Sequence, residues 1–274
     1  MAAQSGSKGE PLLLVHTHRQ ELRAVGLLAL PVIIFSLAGF VPSWLQFFTV
    51  GQLHLDPWFE AGLPIAVPWS ILQSHAEMAT LWGILAIAQT LLGMGLLPQV
   101  PSQVHRVLGY FLIFLGVLAF GSGSLLEILE YGGCPTWLHL LGGVMIFLHF
   151  GLLLHFARAK QRKEHAFAVL SMLLWALYPG WARIVGFFIE LHFGIPCGLH
   201  AWAGYEFIAA SSCALALLLL ALREYRISGI QIAPQRSSLN APSVLLMSSM
   251  VFFAYAAVDL IHACLSHAFL RCPG

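Results

Sequence analysis

V-H-R-V-L-G-Y-F-L-I-F-L-G-V-L-A-F-G-S-G-S-L-L, residues 104–126, is the stretch whose reading decides the fold. Apart from Arg106 it carries no Asp, Glu, Lys or Arg. At about 1.5 Å of rise per residue it is long enough to cross roughly 30 Å of hydrocarbon. Lipid offers no water to satisfy a backbone N–H or C=O, so such a run must be a helix rather than a lone strand. Six similar runs flank it, at 24–48, 72–97, 135–157, 165–189, 200–222 and 243–270. The expectation is an all-α polytopic membrane bundle of about seven helices. Pro31 and Pro179 fall inside two of them.

Composition agrees. Hydrophobic residues make up 59% of the 274 and charged residues 9%, where a soluble domain carries about a quarter charged residues. Lipid must cover what so few charges cannot, and the bilayer is the one partner the composition requires. A net charge of +1 excludes a nucleic-acid partner, because nothing here neutralises a run of phosphates. The apolar run after the polar first 23 residues exceeds a signal-peptide core and is read as a retained helix. G-S-G-S at 121–124 has the glycines of a phosphate loop but no lysine, and is expected at a helix end.

Charge then orients the chain. Lys8, Arg19 and Arg23 precede the first helix, Arg106 lies in the second connection, Arg158, Lys160, Arg162 and Lys163 in the fourth, and Arg223, Arg226 and Arg236 in the sixth. The first, third and fifth connections hold Asp56, Glu60, Glu130 and Glu190 and no Lys or Arg. Basic residues gather on the cytoplasmic side, which gives N-in and C-out. If the seventh run, which contains Asp259, His262 and His267, lies on the surface instead, the helix number becomes even. The chain divides into a cytoplasmic arm (1–23), a first helix (24–48), a four-helix core (72–190) and two trailing helices (200–270), in a secretory-pathway or plasma membrane.

Ionisable residues within spans are expensive and mark functional sites. Glu77, Arg183, Glu206 and Asp259 all map to the outer half, and with His200 and His262 they predict a polar pocket opening outward. The plainer reading is that Arg183 pairs with one acid and closes the bundle.

The thirteen histidines fall in layers. His75 and His139 map to the outer ends of the second and fourth helices, and His105 and His165 to the inner ends of the third and fifth. If helices two and four face one another, and three and five likewise, each pair would clamp one flat macrocycle by bis-histidine ligation. Gly109, Gly143 and Gly204 each follow a histidine (His105, His139, His200) by four residues, nearly the same helix face. Such a glycine clears room for a porphyrin edge, and the same spacing suits plain close helix packing. His155 competes as an inner ligand, about 160° around its helix from His139.

S-H-A-E-M, V-H-R-V-L-G-Y, W-L-H-L-L-G-G and K-E-H-A-F, each with one histidine, resemble the four-helix core of the two-heme cytochrome b561 family. Residues 194–207 and 248–262 look like the later helices of a fungal membrane-protein family ("transmembrane protein one") with a b561-like first half. V-H-R-V-L-G-Y with A-R-I at 182–184 is also similar to a bacterial membrane-protein family without an assigned function. The first resemblance implies transmembrane electron transfer through heme b, one or two per chain, held by His75, His139, His105 and His165. Arg183 would then neutralise a heme propionate or a small anionic electron donor.

Two other classes compete. His75, Glu77, His139, His192, His200, Glu206, Asp259, His262 and His267 include ordinary zinc ligands, as in an outward-facing membrane hydrolase. A non-catalytic transporter or assembly protein would use the same residues to hold helices together. Cys134 and Cys197 map to the outer side, where an oxidising compartment would let them bridge.

Overall fold

The computed structural model describes residues 27, 30, 31, 33–39, 41, 69–94, 96, 99–131, 134–193, 199–228 and 241–270, and every regular element among them is an α-helix. A helical stretch at 33–39 (α1) is followed by α2 (Trp69–Gly93), α3 (Ser102–Tyr131), α4 (Cys134–Arg158), α5 (Arg162–Phe193), α6 (Leu199–Ser228) and α7 (Ala241–Leu270). Five of these, α2 to α6, are long and apolar enough to cross a bilayer, and the described part of α7 adds a shorter apolar helix at Pro242–Tyr255. The architecture fits a multi-pass integral membrane protein.

Several ends differ from those expected. α2 stops at Gly93 rather than 97, and Met94 N–H to Thr90 O (2.9 Å) and Leu96 N–H to Leu91 O (3.2 Å) close its last turn. Pro98 and Pro101 then prevent continuation. α3 runs on to Tyr131, so G-S-G-S lies inside the helix rather than at its end. α6 continues past the expected 222 to Ser228 and carries Glu224 with it. Between α4 and α5 the chain reverses in three residues. Lys160 adopts φ 58°, and Gln161 N–H bonds back to Phe156 O at 2.9 Å. That six-to-one bond over a left-handed residue is a Schellman-type stop, here without the usual glycine.

The helices associate mainly as sequential antiparallel pairs, α2 with α3, α4 with α5 and α6 with α7. α5 is the axis, packing against α4, α6 and α7. All nine of its residues from 170 to 178 are buried, the signature of a helix surrounded by others. Trp175 stacks on Phe252 of α7 with ring centroids 3.6 Å apart, and Tyr178 and Tyr255 join through their hydroxyls. By contrast α2 and α3 turn Leu81, Ile84, Phe111, Phe114 and Val117 outward. A soluble monomer rarely exposes an apolar face of that extent, and lipid satisfies it without further cost.

α1 touches α2 and α5. Its Ile33 is wholly buried, and Leu37 lies over Gly83 of α2. A Cβ added at Gly39 would stand 2.1 Å from the backbone carbonyl oxygen of Gly180 in α5. The two backbones meet at a pair of glycines because no side chain fits between them. We expect Gly39→Ala to force α1 off α5 and to lower the unfolding midpoint in detergent, a loss of about 1–3 kcal/mol by analogy with overpacked cores. Gly121→Ala, whose Cβ would meet nothing within 4 Å, should leave the midpoint unchanged or raise it. Equal effects of the two would contradict the close approach.

Candidate functional site

Three polar side chains of α2 stand seven residues apart, at His75, Trp82 and Gln89, and all three reach backbone carbonyls of α3. His75 Nδ1 lies 2.9 Å from Ala119 O, Trp82 Nε1 donates to Leu112 O at 3.0 Å, and Gln89 Nε2 donates to His105 O at 3.0 Å. The acceptors are also seven apart and run the opposite way, as an antiparallel pair in heptad register requires. Four residues beyond each acceptor stands a glycine: Gly123, Gly116 and Gly109. A Cβ there would meet His75 Cε1 at 2.9 Å, Trp82 Nε1 at 3.0 Å and Gln89 Nε2 at 3.0 Å, respectively. Each glycine therefore opens the notch through which the α2 side chain reaches a carbonyl already bonded within its own helix. Gly109, expected to make room for a porphyrin edge, receives the Gln89 amide instead. Gly143 likewise faces Ser124, whose Oγ lies 2.6 Å from where a Cβ would stand.

The ladder fixes the tautomer of His75. A carbonyl only accepts, so Nδ1 carries a proton. Ser122 Oγ lies 3.2 Å from the same nitrogen. The Nδ1 edge of the ring is directed at α3.

At the end of the bundle where α2 gives way to α3 stand His105, near the start of α3, and His165, near the start of α5. His165 Nδ1–H donates to Leu153 O at 3.1 Å. The His105 ring leans over α2, its Cε1 3.5 Å from where a Cβ at Gly93 would sit, and its Nδ1 is buried without a partner. Gln89 Oε1 and Gln161 Oε1 are buried and unpartnered as well. Gln89 and His105 thus leave unused polar atoms at the end where α2 gives way to α3, and Gln161 leaves one in the turn between α4 and α5. His155 is exposed and packs edge-on to its neighbour Phe156, away from this group.

A second polar centre joins α4, α5 and α7, and its three helices are not linked by any motif in the sequence. His149, 1% exposed, donates from Nδ1 to Met145 O at 2.6 Å. Its Nε2 lies 2.8 Å from Ser171 Oγ and 3.0 Å from Ser248 Oγ, and Ser171 donates to Ser248 at 2.7 Å. With Nδ1 protonated, the neutral ring accepts at Nε2 and the two hydroxyl protons circulate within the triangle. This closed set satisfies a mid-helix histidine in an apolar interior.

Of the expected outer pocket, Glu77 is exposed and accepts from Gln73 Nε2 at 2.9 Å. Arg183 donates to Pro179 O at 3.2 Å, one turn earlier in α5. His192 is exposed and stacks on Phe188 at 4.1 Å. The side chains of His139, His200, Glu206, Asp259, His262 and His267, and the Cys134–Cys197 pair, lie outside the described residues. Among those described, no three His, Cys, Asp or Glu side chains gather as metal ligands. The ionisable pair missed in the sequence is Lys163 with Glu224, 2.5 Å apart between α5 and α6, Glu224 being 3% exposed. Its only signal was a lone acid among the arginines after the sixth apolar run.

Searches of protein-family models, curated proteins and solved structures return no match to the chain. Function must therefore be argued from these side chains.

The ladder makes a stability prediction. Trp82→Phe keeps the ring and deletes the donor to Leu112 O, and should cost about 0.6 kcal/mol, at most ~1.7, typical of hydrogen bonds between membrane helices. Gly116→Ala should cost more, since its Cβ also meets Phe150 Cζ at 2.4 Å. Reversible unfolding in mixed micelles measures both, and a stable Gly116→Ala protein would show that the notch is not needed.

Proposed function

We propose that the chain is a seven-helix, N-in, C-out integral membrane protein of the secretory pathway or plasma membrane that carries electrons between the two faces. It would hold heme b between His105 and His165 at the inner level and between His75 and His139 at the outer level. The observation that carries this reading is the state of the imidazoles. His75 and His165 both anchor Nδ1–H on a backbone carbonyl. That outer-shell bond is what a metal-ligating histidine almost always makes, because it fixes ring orientation and raises the basicity of the ligating nitrogen.

At the inner level the support is chemical: His105 and His165 are imidazoles on different helices, and the buried Nδ1 of His105 makes no bond of its own. At the outer level the test rests on His75, since the His139 side chain lies outside the described residues. Bound iron porphyrin supplies a one-electron couple at each level. The chain's own part is to hold two imidazoles per level at fixed height, to exclude water with apolar helices, and to keep the levels apart. Between them Trp82, Phe120 and Phe150 fill the α2–α3–α4 interior, with ring centroids 5.1 Å and 6.4 Å apart in sequence. Arg183 would neutralise a propionate or a small anionic donor at the outer face.

The purified full-length protein should show a sharp low-spin b-type spectrum on dithionite reduction, with one or two hemes per chain by pyridine hemochrome. His105→Ala and His75→Ala should each remove one component. A colourless protein from heme-replete cells would overturn the reading. Orientation is tested separately. A cysteine replacing Lys160 should react with an impermeant maleimide only after permeabilisation, whereas one replacing Asp56 should react in intact cells, and the reverse pattern would invert the topology.

A further inference from the structure

We propose that the ends of α4, α5 and α6 form a binding site for the headgroup of an anionic phospholipid, best filled by one with more than one phosphate. The inference goes beyond electron transfer and does not depend on heme. It takes from the reading above only the side of the membrane, and hence the leaflet that supplies the lipid.

The first observation is a set of unopposed cations. Arg158, Lys160 and Arg162 are exposed at the turn from α4 to α5, and Arg223 and Arg226 are exposed near the end of α6. Among the described residues none of these five makes an ion pair. The second is what joins the two groups. Lys163, next in the chain after Arg162, pairs with the buried Glu224, next after Arg223. That contact between α5 and α6 brings both basic segments to one end of the bundle. It also cancels the acid that lies between Arg223 and Arg226, while the half-buried Glu164 is the other acid among these residues.

The third observation is height. The apolar spans Leu140–Arg158, Arg162–Phe193 and Phe207–Glu224 begin or end among these residues. The cations therefore stand at the level of the lipid phosphates, where each Lys or Arg attracts an anionic headgroup. The fourth selects a lipid over a soluble anion. Leu215, Leu219 and Leu222 are exposed on α6. Arg223 and Arg226 continue that face, four residues after Leu219 and Leu222. A phospholipid along it meets leucine with its acyl chain and arginine with its phosphate.

Local structure does not account for these cations. Arg162 opens α5, where the helix dipole disfavours positive charge. Lys160 holds φ 58°, a conformation that glycine adopts more readily. Orientation calls for basic residues on this side, but not for a buried ion pair that gathers them.

The test titrates full-length protein in neutral dodecylmaltoside micelles with a dioctanoyl phosphatidylinositol bisphosphate, and counts bound lipid by native mass spectrometry. This lipid should bind more tightly than dioctanoyl phosphatidylcholine, and less tightly as salt is raised. Arg162→Gln and Arg223→Gln should each weaken it about fivefold, and the double variant roughly 25-fold. The unfolding midpoint should not change, because both side chains are exposed and unpaired. If either variant is unstable, Arg158→Gln with Arg226→Gln removes the same charge from the same end and gives the same readout. Equal binding of phosphatidylcholine, or undiminished affinity in the double variant, overturns the proposal. Inositol trisphosphate that binds as tightly as the lipid also overturns it, in favour of a free polyphosphate. The b-type spectrum should be the same in every variant, so a colourless protein that still selects the anionic lipid overturns the heme reading and upholds the lipid site.

Discussion

The hydrogen bonds from His75, Trp82 and Gln89 to carbonyls of α3 are the constraint on which much of the arrangement rests. Apolar helices in lipid gain little from burying one greasy face against another, so their register needs polar bonds or close steric fits. Here each rung supplies both. A helix carbonyl has a second lone pair beyond its own N–H···O bond, and a glycine one turn on exposes it. Because donors and notches repeat every seven residues, a slip by one to six positions would set side chains against Cβ atoms and leave polar groups in hydrocarbon. The pair therefore behaves as a ruler. It separates the level of His75 from that of Gln89 by roughly 21 Å of helix rise, whatever else is bound.

The rest of the interior follows a different rule. α5 is enclosed by apolar contacts and by the aromatic set Trp175, Tyr178, Phe252 and Tyr255, with His149, Ser171 and Ser248 as a polar knot. Every member of that knot bonds to another, so it specifies how α4, α5 and α7 meet without leaving an orphan group. The end where α2 gives way to α3 is the contrary case, with Gln89 Oε1 and His105 Nδ1 buried and unused.

The helices were legible because span length and apolarity depend only on local sequence. Their ends were less so. α2 ends at Gly93, and α6 runs on to Ser228 past Glu224, which pairs with Lys163 of another helix. The glycines show the limit most clearly. Gly109 was visible as the residue one turn beyond His105, but its use could be read only once Gln89 was known to lie opposite, and that is a fact of antiparallel register. The same holds for Ser171 and Ser248, ordinary small residues in the sequence, whose role is set by His149 on a third helix. Reading His75 and His165 as possible ligands needed only their depth, whereas the hydrogen bonds that fix their tautomers come from Ala119 and Leu153 on other turns of the chain.

The glycine contact between α1 and α5 carries a consequence for biogenesis. The first helix leaves the ribosome long before Gly180 has been made, so during synthesis its bare backbone face at Gly39 has no seat on α5. α2 and α3 can zip together as a hairpin soon after they emerge, because their contacts are local. α1 can settle only when α5 arrives, and its docking is thus a late checkpoint of assembly. A chain interrupted before that point would display Gly39 to the quality-control machinery as an unfilled groove.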